Sequence, residues 1–517
     1  MKLDKARKIM RVEYRLKQMI AGLLLAGFGS VAVSCSTGEP APDRAPTESE
    51  AAEADADVDV DERGIPPLAP LEMAEDEPAV EELGEVDGVS AYRVGDVTVL
   101  HKETPANSVV SARVYVSGGS ANLTEQTAGV EKLALSTTVN GGTETHSKDE
   151  FNALLDSMGS SVSAFSDRDF SGYTMQSIVD NFDVTWDLML ETMVEPSVPE
   201  SELELQRERH LAEIRSLRDN PDRLVGYVAS KLLFEGHPYH TMQLGTEENV
   251  SDFSRDQIAA YQRAMLQPDR LTVVVVGNVS NEDIIERVKP LAKMRPAGTI
   301  PQQELTEFGA DEADITVEEK EIPTNYIFGL FTAPAPGDED YEAMLVTAKF
   351  LRDRLFEEVR TKRNLTYAVS AGLSDRRINY GYLYVTAVDP DETLPVIFDE
   401  IDKLKEGDFS VEDLEQSRNV FITSHYMDLE TNSSQASMLG RSHLIAGDWK
   451  AHADLIDRLE EVTAEDVERV TTKYMKNYHF GVVGDPDQIN EAMFLQQEAQ
   501  PEEAEPTAEQ AEDVEAE

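Results

Sequence analysis

The chain has 517 residues, 40% of them hydrophobic, enough for two sizeable domains once the polar ends are set aside. One hundred acidic residues stand against 46 basic ones, a formal charge of −54, and that field repels phosphate backbones and so argues against nucleic acid as a partner. The single cysteine, Cys35, excludes an intrachain disulfide and leaves the folded part no cysteine-built zinc site and no thiolate nucleophile.

Residues 2–17 are rich in Lys and Arg, and Met19 to Val33 is an apolar run too short to cross a bilayer comfortably, the build of a secretory signal. The run ends in AVSC, which resembles a bacterial lipobox, so residues 1–35 are expected to be a lipoprotein signal with Cys35 lipidated. Ser36 rather than Asp follows, which by the same resemblance points to the outer membrane, with the protein facing the periplasm. From residue 36 to 84 the chain is Ala, Pro, Asp and Glu with little apolar pattern, and it is expected to be a disordered acidic linker. Residues 491–517 are expected to be a disordered acidic tail.

Between them runs a weak internal repeat. Val162-Ser163-Ala164 recurs as Val369-Ser370-Ala371, Asp167-Arg168 as Asp375-Arg376, Gly172-Tyr173 as Gly381-Tyr382 and Val276-Gly277 as Val483-Gly484, each about 207–209 residues on. Repeats of that length imply two homologous domains rather than a solenoid, here assigned to 85–295 and 296–490. In the first, Ser108 to Ser117 and Leu271 to Gly277 are β-branched and strand-like. Pro199 to Leu217 has acidic residues in its first turn, a candidate Ser197 cap, and Leu211, Ile214 and Leu217 at helical spacing. Strands and helices do not alternate strictly, so the expected class is α+β, each domain a mostly antiparallel sheet packed with helices.

Several spaced segments then carry a family likeness over roughly residues 90–490: SVVSARVYVSGGSANLTEQTAGVEKLALSTTVNGGT, QRERHLAEI, EGHPYHTMQLGTEENV, LTVVVVGNVS, RDRLFEEVRTKRNLTYAVSA and HFGVVGD. Their order resembles the insulinase/pitrilysin family of zinc peptidases. The resemblance implies a clamshell half built of two related domains. In active members a first-half helix carries His-x-x-Glu-His, two imidazoles that grip zinc and a glutamate that activates its water. The matching stretch here is Gly129 to Ser136, with Lys132 and Ser136 at the histidine positions and Leu135 at the general base. An ammonium has no lone pair for a metal, a neutral hydroxyl is a poor ligand, and leucine cannot take a proton. Glu213 falls near the family's downstream third ligand, but one carboxylate without partners does not hold zinc. His237 and His240, in GHPYH, resemble a structural element of the family. There is no P-loop, dinucleotide fingerprint or Gly-x-Ser-x-Gly elbow.

In the second half KRNLTY resembles the family's Arg/Tyr element, carried here by Arg363 and Tyr367, which would stabilise a peptide oxyanion from across the chamber. The resemblance implies a non-catalytic subunit that binds no zinc itself. It would lend Arg363, Tyr367 and half of a peptide chamber to a zinc-bearing His-x-x-Glu-His partner, with peptides as substrates and a lipid as the membrane tether. The alternative is an inert scaffold or peptide-binding protein of the same fold.

Overall fold

The computed structural model describes residues 60–495. Cys35 with its signal-like run, residues 36–59 and residues 496–517 lie outside the described residues.

The first half is a seven-stranded sheet. Its strands are β2 (Val80–Val86), β3 (Val89–Val94), β4 (Val97–Glu103), β5 (Val109–Ser117), β6 (Ser161–Ser166), β7 (Phe170–Ile178) and β8 (Leu271–Gly277), ordered β2-β3-β4-β8-β5-β7-β6. A two-residue ladder joins β1 (Glu72–Met73) to β9 (Met294–Arg295). The second half is a five-stranded sheet of β10 (Asp314–Glu319), β11 (Asn325–Thr332), β12 (Val369–Leu373), β13 (Tyr380–Ala387) and β14 (His479–Gly484), ordered β10-β14-β11-β13-β12. Strands β4 and β8 run parallel, as do β10 and β14, and the remaining pairs are antiparallel.

Without its extra β2-β3 hairpin the first sheet has the same strand order as the second, so the weak repeat is a repeat of topology. The matched tripeptides lie on β6 and β12, and the matched Gly-Tyr pairs on β7 and β13. Those glycines recur for a steric reason. A Cβ on Gly172 would stand 2.0 Å from the Val114 carbonyl oxygen, and one on Gly381 would stand 2.1 Å from the Phe331 ring.

Each half lends the other a helix. Strand β8 is buried at every position, a pattern that requires cover on both faces. Val273 and Val275 face the main core of the first half, whereas Val274 and Val276 join Ala436 and Leu439 of the helix Asn432–Ile445, which belongs to the second half of the chain. Reciprocally, Val483 of β14 packs on Leu224 and Val225 of the helix Pro221–Leu233, from the first half. Both contacts are close enough to demand glycine: a Cβ on Gly440 would meet the Tyr115 ring at 2.2 Å, and one on Gly481 would meet the Ala229 nitrogen at 2.5 Å. The β6–β7 and β12–β13 turns meet beside these helices, where Arg376 bonds Asp167 (2.5 Å) and Arg441 bonds Asp375 (2.6 Å). Tyr239 donates to Asp169 in the same cluster.

Three expectations are corrected. Residues 60–84 are part of the fold: Ile65 is 2% exposed within the first core, Asp61 accepts the Ile65 N–H (2.9 Å), and β2 pairs with β3. The acidic composition hid the few apolar side chains that anchor this stretch. At the other end Glu491–Leu495 forms a short helix whose Phe494 is buried in the second core. The long helix is Glu200–Asp219, with Pro199 at its N-cap and no side-chain cap; the Ser197 N–H bonds the Gly142 carbonyl instead (3.0 Å).

Candidate functional site

The helix Val130–Asn140 starts at Gly129, whose left-handed backbone (φ 91°) lies where a Cβ would press on the Leu244 carbonyl, 2.8 Å away. That start sets the rotation of the helix. Leu135 turns into the core, and Ser136 returns its hydroxyl to the Leu133 carbonyl (3.1 Å). Lys132 instead crosses to the helix Glu200–Asp219, where its Nζ donates to Glu213 Oε2 at 2.6 Å. The other Glu213 oxygen stands 3.5 Å from Arg223, which Asn220 positions by capping the first turn of Pro221–Leu233.

Partial burial pushes the Glu213 carboxyl upward, but the hydrogen bond and charge of Lys132, with His210 and Arg223 behind, hold it below its ordinary value. His210 sits one turn before Glu213, 4% exposed, and is pushed down to about 4 by burial first and then by the Lys132 ammonium. At neutral pH it is therefore an uncharged imidazole beside an ion pair. From the sequence it reads as an ordinary surface or core histidine, although its spacing from Glu213 puts the two on one helical face. The donor set is chemically wrong for zinc, since an ammonium, which has no lone pair to give, fills the first ligand position and leucine the base position.

Next to Lys132 lies a second group missed in the sequence. Glu131 is buried, accepting from Ser166 Oγ (2.9 Å) and Tyr261 OH (3.1 Å), and burial pushes its carboxyl up to about 7.

In the second half the helix Tyr341–Leu355 passes into a π-helix, Phe356–Lys362, and the chain leaves it through Asn364 at φ 53°. Widened turns of this kind re-aim side chains and recur at functional sites. Here they separate the two expected partners. Arg363 turns back to the Glu358 carboxylate (2.6 Å) and carbonyl (2.9 Å). The guanidinium over the Tyr367 ring, 5.0 Å from its centroid, belongs to Arg360, which also lies 4.8 Å from the Phe356 ring. Tyr367 is 78% exposed, unusual for a large aromatic, while Thr366 beside it accepts the Ala368 N–H (3.1 Å) and fixes the backbone.

His237 is structural. Its Nδ1 accepts the Tyr239 N–H (3.0 Å), which leaves Nε2–H to donate to the Thr306 carbonyl (3.1 Å). His240 bonds the Lys231 carbonyl (3.1 Å).

Comparison with known proteins matches the two parts of the chain to one family, the second match beginning before β8. Residues 98–246 match the family described as Insulinase (Peptidase family M16), and residues 252–421 match the Peptidase M16 inactive domain. The chain is 24% identical over 378 residues to the uncharacterized zinc protease YmxG of Bacillus subtilis, covering 72% of this chain and 91% of that one. Its fold is similar to the peptidase M16 inactive domain from Pseudomonas fluorescens, with TM-score 0.68 at 18% identity over 79% of this chain and 98% of the other. The periplasmic protease PqqL from Escherichia coli superposes with TM-score 0.68 at 15% identity, over 87% of this chain but only 49% of PqqL.

Proposed function

Since this chain belongs to peptidase family M16, the insulinase family, we propose that it is the zinc-less subunit of a heteromeric metallopeptidase, presenting Tyr367 and Arg360 to the active site of a His-x-x-Glu-His partner. The observation that carries this reading is the contrast between the halves. Where the family's metal would sit, Lys132 is clamped on Glu213 at 2.6 Å, whereas the Arg/Tyr element of the second half holds its tyrosine out, 78% exposed.

The chemistry follows from what each group can donate. An attacked peptide carbonyl develops negative charge, and a phenolic O–H with a guanidinium beside it offers hydrogen-bond donors of fixed position. Arg360 takes the role expected for Arg363 because it stacks on Tyr367, while Arg363 and Lys362 both pair with Glu358. A relative that is 22% identical over 72% of this chain is named as a subunit, the mitochondrial-processing peptidase subunit beta of Dictyostelium discoideum, and the superposition on about half of PqqL supports a chain that forms half of a peptide chamber. The partner would bring the zinc. In the same reading Cys35 carries a lipid that holds the complex at the periplasmic face of the outer membrane, a reading supported by the AVSC boundary and Ser36.

The test is reconstitution. Alone, the protein should cleave no peptide; mixed with a His-x-x-Glu-His subunit of the same source it should co-elute on size exclusion and raise that subunit's peptide hydrolysis. Zinc-dependent cleavage by the isolated chain overturns the proposal, and co-elution without any gain in hydrolysis makes the chain a scaffold.

A further inference from the structure

We infer that Lys132 is a built-in cation that stands in for a metal on Glu213 and closes this site to divalent ions. The inference rests on the reading that the chain carries no catalytic zinc and adds what replaces it.

A carboxylate left half-buried without a counter-charge is costly, so loss of a metal leaves a fold with a defect to repair. Lys132 makes that repair. Its Nζ meets Glu213 Oε2 at 2.6 Å across two helices, from a residue 81 positions away, with 30% and 36% of the two side chains exposed. Arg223 covers the other oxygen at 3.5 Å. The ammonium offers three donors and no lone pair, so it satisfies the carboxylate and cannot itself become a ligand. Because it is tethered, its effective concentration at Glu213 is in the millimolar range or above, and a free divalent ion must displace it to bind. A displacing ion would find few ligands, since Ser136 spends its hydroxyl on Leu133 and Leu135 is in the core. Among the described residues, the imidazole of His210, one turn from Glu213, remains to join it.

The full chain tests this with zinc and cobalt(II) as probes. Wild type dialysed against zinc should retain none, and its melting temperature should not respond to either ion. In Lys132→His an imidazole replaces the ammonium opposite Glu213 and His210, and cobalt(II) should give visible d–d bands with a rise in melting temperature of about 2–4 °C or more, the response expected of a bound ligand. Lys132→His/Glu213→Gln should lose that response. Lys132→Met should lower the melting temperature, and adding Glu213→Gln should recover part of the loss, because the carboxylate that needed the cation is gone.

A metal response in Lys132→His that survives Glu213→Gln, or its absence, overturns the inference, as do strictly additive effects of Lys132→Met and Glu213→Gln. Tightly held zinc in the wild type is a separate outcome that overturns the zinc-less reading itself.

Discussion

If Tyr367 and Arg360 serve an oxyanion, three single substitutions should separate chemistry from folding. Tyr367→Phe keeps the ring beneath the Arg360 guanidinium and removes only the phenolic O–H. The ring is 78% exposed, so the effect on stability should stay within about 0.5 kcal/mol. Turnover should nevertheless fall about 10²–10³-fold, the cost of losing one oxyanion donor. Arg360→Ala removes a guanidinium lying 4.8 and 5.0 Å from two ring centroids, worth about 0.5–1 kcal/mol at an exposed site, with a comparable loss of turnover. Arg363→Ala breaks a pair whose side chains are 40% and 21% exposed, while Lys362 stays on Glu358 at 2.5 Å. Its stability cost should be about 0–1 kcal/mol, and its turnover should stay close to wild type. The assay is initial rate on a fluorogenic peptide per complex recovered from size exclusion, with melting temperature measured in parallel. Full activity in Tyr367→Phe, or a fall in Arg363→Ala as steep as in Arg360→Ala, refutes the assignment.

Three further outcomes are expected. The buried Glu131 carboxyl titrates near 7 in the folded state against 4.5 ordinarily, so its neutral form is the one the fold prefers. Stability from this group is therefore lost as pH rises from about 4.5 to 7, by up to about 3 kcal/mol, and is constant above and below that window. Urea unfolding at pH 5 and pH 8 should show a smaller difference for Glu131→Gln than for wild type, and equal differences count against the burial argument. Gly440→Val should cost about 1–3 kcal/mol or more by forcing the Tyr115 ring aside, read as a lower urea midpoint; an unchanged midpoint would mean the helix does not sit tightly on β5. Cys35→Ala should abolish labelling by a clickable fatty acid, and labelling that persists places any lipid elsewhere.

The repeat was legible because the same steric needs recur in both sheets, the close glycine before a tyrosine and the apolar strand ending in glycine. Lys132, Leu135 and Ser136 were legible from one motif of the family resemblance and Glu213 from its downstream third-ligand position, and the structure brings Lys132 and Glu213 into contact. The Arg360–Tyr367 contact was not, because the π-helix changes which residues share a face, and the family resemblance of KRNLTY pointed to Arg363. Glu131 went unnoticed because it sits among the matched motif positions without being one of them, and only burial reveals it. Which sheet a helix covers is also invisible locally: the apolar face of Asn432–Ile445 looks the same whether it packs on its own half or on the other.

That last feature bears on how the chain comes to be folded. The outer face of β5 and β8 takes much of its cover from Ala436, Met438, Leu439, Ile445 and Trp449, so a nascent chain that has made the whole first sheet still leaves Val274, Val276 and part of Tyr115 uncovered until most of the second half has emerged. Neither half expressed alone should behave as a well-mannered domain. Each would display a bare apolar sheet face shaped for a helix, able to take that helix from another copy, and premature truncation before residue 432 should give aggregates or swapped oligomers rather than a stable N-terminal fragment.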